Sequence, residues 1–101
     1  MWVIAMFDPP VDTPAARKAY ARFRKNLLED GFTMMQFSVY SRHCASIENA
    51  EVHVARMGLL LPPAGEVRFL TITDRQFSRI RVFWGKKRKP TGPSPSQLEL
   101  F

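Results

Sequence analysis

Residues 31–42 read GFTMMQFSVYSR. The stretch is rich in β-branched and aromatic residues and carries no helix-start signal. It reads as a hairpin or two short strands, with a turn near Gln36 to Ser38. The reading decides the fold, because it places two strands in succession between two helical patterns. Gly31, at its head, is the expected C-terminal cap of the first helix.

Upstream, Thr13-Pro14 is a helix start, with Thr13 as N-cap and proline at the first helical position. Ala16, Tyr20, Phe23 and Leu27 then share one helical face, and Arg17, Lys18, Arg22, Arg24 and Lys25 occupy the other side. Before that helix, Trp2 to Phe7 is a continuous apolar run, read as a buried strand and ended by Asp8-Pro9-Pro10. Downstream, Ser46 caps a second helix in which Ala50, Val54, Met57 and Leu61 share a face. Pro62-Pro63-Ala64-Gly65 stops it, and Glu66 to Thr73, EVRFLTIT, is the next strand. The order is β-α-β-β-α-β, a ferredoxin-like α+β arrangement of two helices on one face of an antiparallel sheet. After a short loop, Arg79 to Trp84 alternates, with Ile80, Val82 and Trp84 on one side and Arg79, Arg81 and Phe83 on the other. This fifth strand is surplus to a four-stranded sheet. The edge of a second subunit would bury its apolar face, so a symmetric homodimer is expected.

A chain of 101 residues is one domain. The folded part is expected over residues 1–85, with a basic tail over 86–101. No apolar run approaches the roughly 20 residues of a membrane helix, and Asp8 interrupts the first run too early for a signal peptide. The single cysteine, Cys44, excludes an internal disulfide framework and suits a reducing cytoplasm. Net charge is +6, and it is unevenly placed. Residues 1–74 carry eight basic and eight acidic side chains, while residues 75–101 carry seven basic ones against Glu99 alone. Arg75, Arg79, Arg81, Lys86, Lys87, Arg88 and Lys89 form that excess, which points to a polyanion such as nucleic acid or, more plainly, to a solvated tail. No base-reading helix or paired aromatic motif accompanies it, so binding is expected to be sequence-independent and salt-sensitive.

Together these features resemble the Cas-two family, small dimeric subunits of the CRISPR adaptation machinery. The resemblance covers roughly residues 1–85. It rests on the strand ending in Asp8, on the pattern GF-x-MMQ-x-SVY-x-R from Gly31 to Arg42, and on GEVRFLTITDRQF from Gly65 to Phe77. The Leu61-Pro62-Pro63-x-Gly65 turn and the Asp8-Pro9-Pro10 break resemble the branch that accompanies type II systems. The resemblance implies a homodimer that bridges subunits of the CRISPR integrase and holds protospacer duplex DNA. It also implies a possible metal-dependent endonuclease acting on RNA or double-stranded DNA. The alternatives are a stand-alone nuclease and a non-catalytic nucleic-acid-binding module.

Asp8 matches the family's first-strand aspartate, its usual magnesium ligand, with manganese as another candidate. One carboxylate per chain is thin for magnesium, but Asp8 from both subunits of a dimer could share an ion. The plain alternative is an aspartate that caps the turn. Phe37, Ser38 and Arg42 match positions near the family's dimer interface, and Arg42 either contacts phosphate or is a surface arginine. His43, Cys44 and His53 lack the spacing of a zinc site and are assigned no role. Beyond a Pro/Gly/Ser/Thr spacer, the terminal Gln97-Leu98-Glu99-Leu100-Phe101 resembles the peptide that binds the bacterial sliding clamp. Gln97, Leu98, Leu100 and Phe101 would be its docking side chains; the competing expectation is that they anchor the tail to the integrase.

Overall fold

The computed structural model describes residues 1–86. Its elements are β1 (Trp2–Asp8), α1 (Pro14–Glu29), β2 (Thr33–Gln36), β3 (Val39–His43), α2 (Ile47–Gly58), β4 (Glu66–Ile72) and α3 (Asp74–Ser78). The four strands form one antiparallel sheet in the order β2-β3-β1-β4, so the N-terminal strand lies inside the sheet and β4 at an edge. This is the expected ferredoxin-like arrangement.

Strand alternation divides β1 between two faces. Val3, Ala5 and Phe7 turn toward the helices and pack with Phe23 and Leu27 of α1, Ala50 and Met57 of α2, and Tyr40 of β3. Phe7 meets the Phe23 ring edge-on at 5.3 Å and stacks with Tyr40 at 5.7 Å. Each large apolar side chain buried here contributes about 1.5–3 kcal/mol. Trp2, Ile4, Met6 and Asp8 belong to the other face, where Ile4 opposes Ser41 and Leu70, and Met6 opposes Val39 and Arg68. That face is called the open face below.

The helix ends obey the local chemistry. The Thr13 hydroxyl accepts from the Ala16 N–H at 3.0 Å, and Pro14 occupies the first turn. At the other end of α1 the Gly31 N–H donates to Leu28 O and the Phe32 N–H to Leu27 O. This double closure needs a residue with positive φ between helix and strand, and Gly31 supplies it at +93°. The hairpin turn falls at Phe37-Ser38, where Ser38 has φ 63° and a register shift separates Met34 from Gln36. The Ser46 hydroxyl accepts from the Asn49 N–H and opens α2.

Residues 79–84 form no β-strand within the single chain; the expected strand is one that pairs with the edge of a second subunit, since a strand exists only where a ladder partner is in register. Val82 and Phe83 are exposed, and Ile80 is half-buried. The short loop before them is instead α3, closed by a capping box in which the Thr73 hydroxyl accepts from the Gln76 N–H and the Gln76 side chain from the Thr73 N–H. α3 covers one end of the open face, where Phe77 stacks flat on Trp2 at 3.7 Å. Leu61 also departs from expectation, since α2 ends before it and it is exposed, while His53 takes a buried place on the inner side of α2.

Candidate functional site

Asp8 ends β1 on the open face, where its Cα partner across the ladder is Glu66 at the start of β4. Two carboxylates directly opposite on one sheet face repel, so the pairing costs stability. Glu66 is paired within its own strand, its Oε1 lying 3.1 Å from Arg68 Nη2 in an exposed ion pair. Among the described residues no ion pair or side-chain hydrogen bond engages the Asp8 carboxylate. The turn-capping alternative therefore finds no capping bond here. Asp8, Glu66 and Arg68 line a shallow hollow of about 180 Å³ together with Met6 and the Phe7 segment of β1.

Two proline turns hold the Asp8 backbone. Pro9 and Pro10 pack with Pro62, Pro63 and Tyr20 around a small apolar gap of about 30 Å³. Gly65 sits where the turns meet, with φ +96°; a Cβ there would lie 3.0 Å from the Asp8 carbonyl oxygen and 2.9 Å from Pro10 Cδ. Only glycine satisfies both the conformation and the contact.

The basic residues form separate surfaces. Lys18, Arg22 and Lys25 line a shallow hollow of about 380 Å³ along α1 with Asn26 and Glu29. Arg17 and Arg24 are also exposed on α1, but Arg17 Nη1 donates to the Val11 carbonyl at 2.9 Å. Because α1 packs on the inner face of the sheet, this surface looks away from the open face that carries Asp8. Arg75, Arg79, Arg81 and Lys86 are exposed after β4. Lys87, Arg88, Lys89, Gln97, Leu98, Leu100 and Phe101 lie outside the described residues.

Arg42 has a structural use rather than a free surface position. Its Nε donates to the Asp30 carbonyl and its Nη1 to the His43 carbonyl, each at 2.7 Å, and the guanidinium lies against Gly31. Beside it, the Asp30 side chain accepts from His53 Nδ1 at 2.8 Å and from Arg56 Nη1. A carboxylate only accepts, so the His53 Nδ1 carries the proton. His43 pairs with Asp74 at 3.3 Å, and Asp74 also receives the N-terminal ammonium at 2.6 Å. The bond from the N-terminus leads in holding the Asp74 carboxyl below its ordinary range.

Glu66 and Arg68 escaped the sequence reading. Alternation in EVRFLTIT puts 66, 68, 70 and 72 on one side, but only the register with β1 brings that side to Asp8. Among the described residues no cluster of three or more His, Cys, Asp or Glu side chains is built for a metal, and no helix is long and apolar enough to cross a membrane.

Comparison with known proteins gives a consistent result. A family model described as "CRISPR associated protein Cas2" matches residues 1–80. The chain is 80% identical over 101 residues, all of both chains, to "CRISPR-associated endoribonuclease Cas2" of Parvibaculum lavamentivorans. It is 48% identical over 101 residues to a protein of the same name from Flavobacterium psychrophilum, covering all of this chain and 88% of that one. The crystal structure of Streptococcus pyogenes Cas2 at pH 6.5 superimposes with a TM-score of 0.62 over 83% of this chain and all of that one. At 21% identity, that likeness shows the fold.

Proposed function

The chain belongs to the Cas2 family of CRISPR-associated proteins, and from that premise we propose that it works as a homodimer with a phosphodiester-cleaving site built on Asp8 of both protomers. The observation that carries this reading is the Asp8 carboxylate itself: exposed, unbonded among the described residues, and set opposite Glu66 against electrostatic preference. A basic chain retains such an arrangement where a cation or a reacting group is to be met. The curated relatives are named endoribonucleases, which makes RNA the first substrate to test.

The donor set suits magnesium or manganese. Magnesium is commonly held by one or two carboxylates together with water and substrate phosphate. Asp8 from each protomer, flanked by Glu66, would supply those oxygens. When bound, the ion polarises the scissile phosphate and lowers the pKa of a bound water. The protein's own share is positional: Pro9, Pro10 and Gly65 fix the backbone that presents Asp8. The open face supports the dimer. Ile4, Met6, Val39, Leu70 and Ile72 share it; α3 covers its far end, Ile4 is already buried within the chain, and Leu70 stays exposed.

A second reading has an observation of its own. The basic surface of α1 lies on the opposite side of the sheet from Asp8, so a duplex held along it would pass clear of the cleavage site. That favours a scaffold bridging integrase subunits and holding protospacer DNA, inside a cytoplasmic adaptation complex. The C-terminal QLELF would dock on the sliding clamp or on the integrase. Spacer acquisition in cells carrying Asp8→Asn separates the two readings, with dimerisation and RNA cleavage by the purified variant checked alongside. Lost cleavage with retained acquisition assigns both roles, each to its own surface. Retained cleavage refutes the Asp8 site.

A further inference from the structure

The hollow that holds Asp8 contains a cation as well as acids. We propose that Arg68 is a phosphate-binding residue of this site, its guanidinium held on the open face by Glu66 and gripping a phosphodiester laid against Asp8. The assignment rests on the Asp8 reading above and adds to it the group that brings a polyanion to a carboxylate.

The register supplies the geometry. Asp8 faces Glu66 and Met6 faces Arg68, so Asp8 and Arg68 are diagonal neighbours on one face. Such neighbours stand about 7–8 Å apart, within reach of an arginine side chain. Arg68 nevertheless forms its ion pair with Glu66, at 3.1 Å, and among the described residues makes none with Asp8. The Glu66 contact uses one corner of a guanidinium that carries five N–H donors in a rigid fork. The rest of the group is open to solvent, with 69% of the side chain exposed. A single phosphate oxygen or an oxygen pair fits such a fork with charge-assisted bonds.

The electrostatics require a cation at this place. Asp8 and Glu66 opposite one another would repel a nucleic-acid backbone, and a second copy of the chain doubles that repulsion. A metal ion on Asp8 offsets part of it. None of the α1 lysines or arginines lines this hollow, and they face away from it. Arg68 does line it. Glu66 thus acts as a positioning residue: it holds the Arg68 guanidinium beside Asp8 without burying it.

The test uses the full-length protein and two fluorescent probes, a single-stranded RNA and a DNA duplex. Binding is measured in EDTA across a salt series for wild type, Arg68→Gln and Arg68→Lys, and RNA cleavage is followed with magnesium for these and for Asp8→Asn. Arg68→Gln is expected to raise Kd and KM about tenfold, the scale of removing one charge-assisted bond, with kcat retained. The slope of log affinity against log salt should fall by about one for each phosphate that Arg68 no longer neutralises. Arg68→Lys, which keeps the charge, should recover most of the affinity. Melting temperature should fall only slightly, because the ion pair to Glu66 is exposed; a merely structural arginine would leave the salt slope alone. A loss confined to RNA, or to the duplex, identifies which backbone occupies the site. An inactive Asp8→Asn beside an Arg68→Gln with wild-type Kd, KM and slope overturns the Arg68 assignment alone. Persistent cleavage by Asp8→Asn overturns the Asp8 site and this assignment with it.

Discussion

Gly65 decides where Asp8 points. The two lie 57 positions apart in the sequence, yet the glycine's missing Cβ leaves room for the Asp8 carbonyl oxygen and the Pro10 ring. An alanine would meet both, and neither a backbone oxygen nor a proline ring can swing aside as a flexible side chain does. Its backbone at φ +96° adds strain of about 1–3 kcal/mol. Gly65→Ala should therefore lower the melting temperature and, by pushing the Asp8-Pro9-Pro10 turn away from β4, reduce cleavage beyond what the stability loss explains. Calorimetry and cleavage assays on the same preparation check this. An alanine variant with wild-type melting and activity would show that the two turns part at no cost. At this scale the sequence disclosed one member of the candidate site. Asp8 was legible because a charge ending an apolar strand is conspicuous. Glu66 and Arg68 were not, because a charged pair at the head of a strand looks like any solvated strand end until the opposing strand is known.

Between elements, the junction of α1 and α2 is held by Asp30. Its carboxylate binds His53 and Arg56 of α2, while its carbonyl accepts from Arg42 of β3. Burial alone would raise the Asp30 pKa, but the hydrogen bonds from His53 and Arg56, with the charges of both, outweigh it and the net shift is downward. A carboxyl whose folded pKa lies below its unfolded value contributes stability that is present above the ordinary aspartate value. That stability is lost as pH falls through that range, below about 4. Asp30→Asn should thus cost about 1–3 kcal/mol near neutral pH, and the gap to wild type should narrow in acid. Melting curves from pH 7 down to pH 2 measure it; a gap that stays constant with pH would rule out the ionic part of the contact. The helices and their caps were legible because they rest on local chemistry: Thr13-Pro14, Gly31 and Ser46 do what such residues do at helix ends. α3 was overlooked although Thr73 and Gln76 spell a capping box, because five residues show no apolar periodicity. The alternation from Arg79 to Trp84 is of the converse kind, a local signal for a strand that needs a partner edge on a second subunit and that one chain does not form alone.

At the scale of the whole molecule, the two faces of the sheet differ in character. The inner face is a closed core under two helices, and α1 turns its basic side outward from there. The open face carries Asp8, Glu66 and Arg68 at one end, α3 at the other, and apolar side chains between. Leu70 lies in that middle zone opposite Ile4, with 48% of its surface still exposed. If a second copy covers this face, Leu70 is buried by it. A lysine there would then bring an unpaired charge into an apolar contact, at a cost of several kcal/mol for each protomer. Each 1.4 kcal/mol is tenfold in affinity, so the dimer constant should weaken by at least a thousandfold. Leu70→Lys is accordingly expected to run as a folded monomer in light scattering, with an unchanged circular dichroism spectrum, because a half-exposed strand position tolerates lysine within one chain. Cleavage should be lost in the same variant, since each chain would keep its Asp8 and lose the other one. A variant that remains dimeric would move the interface away from the open face. A monomer that still cleaves would show that one Asp8, with its own Glu66 and Arg68, is sufficient.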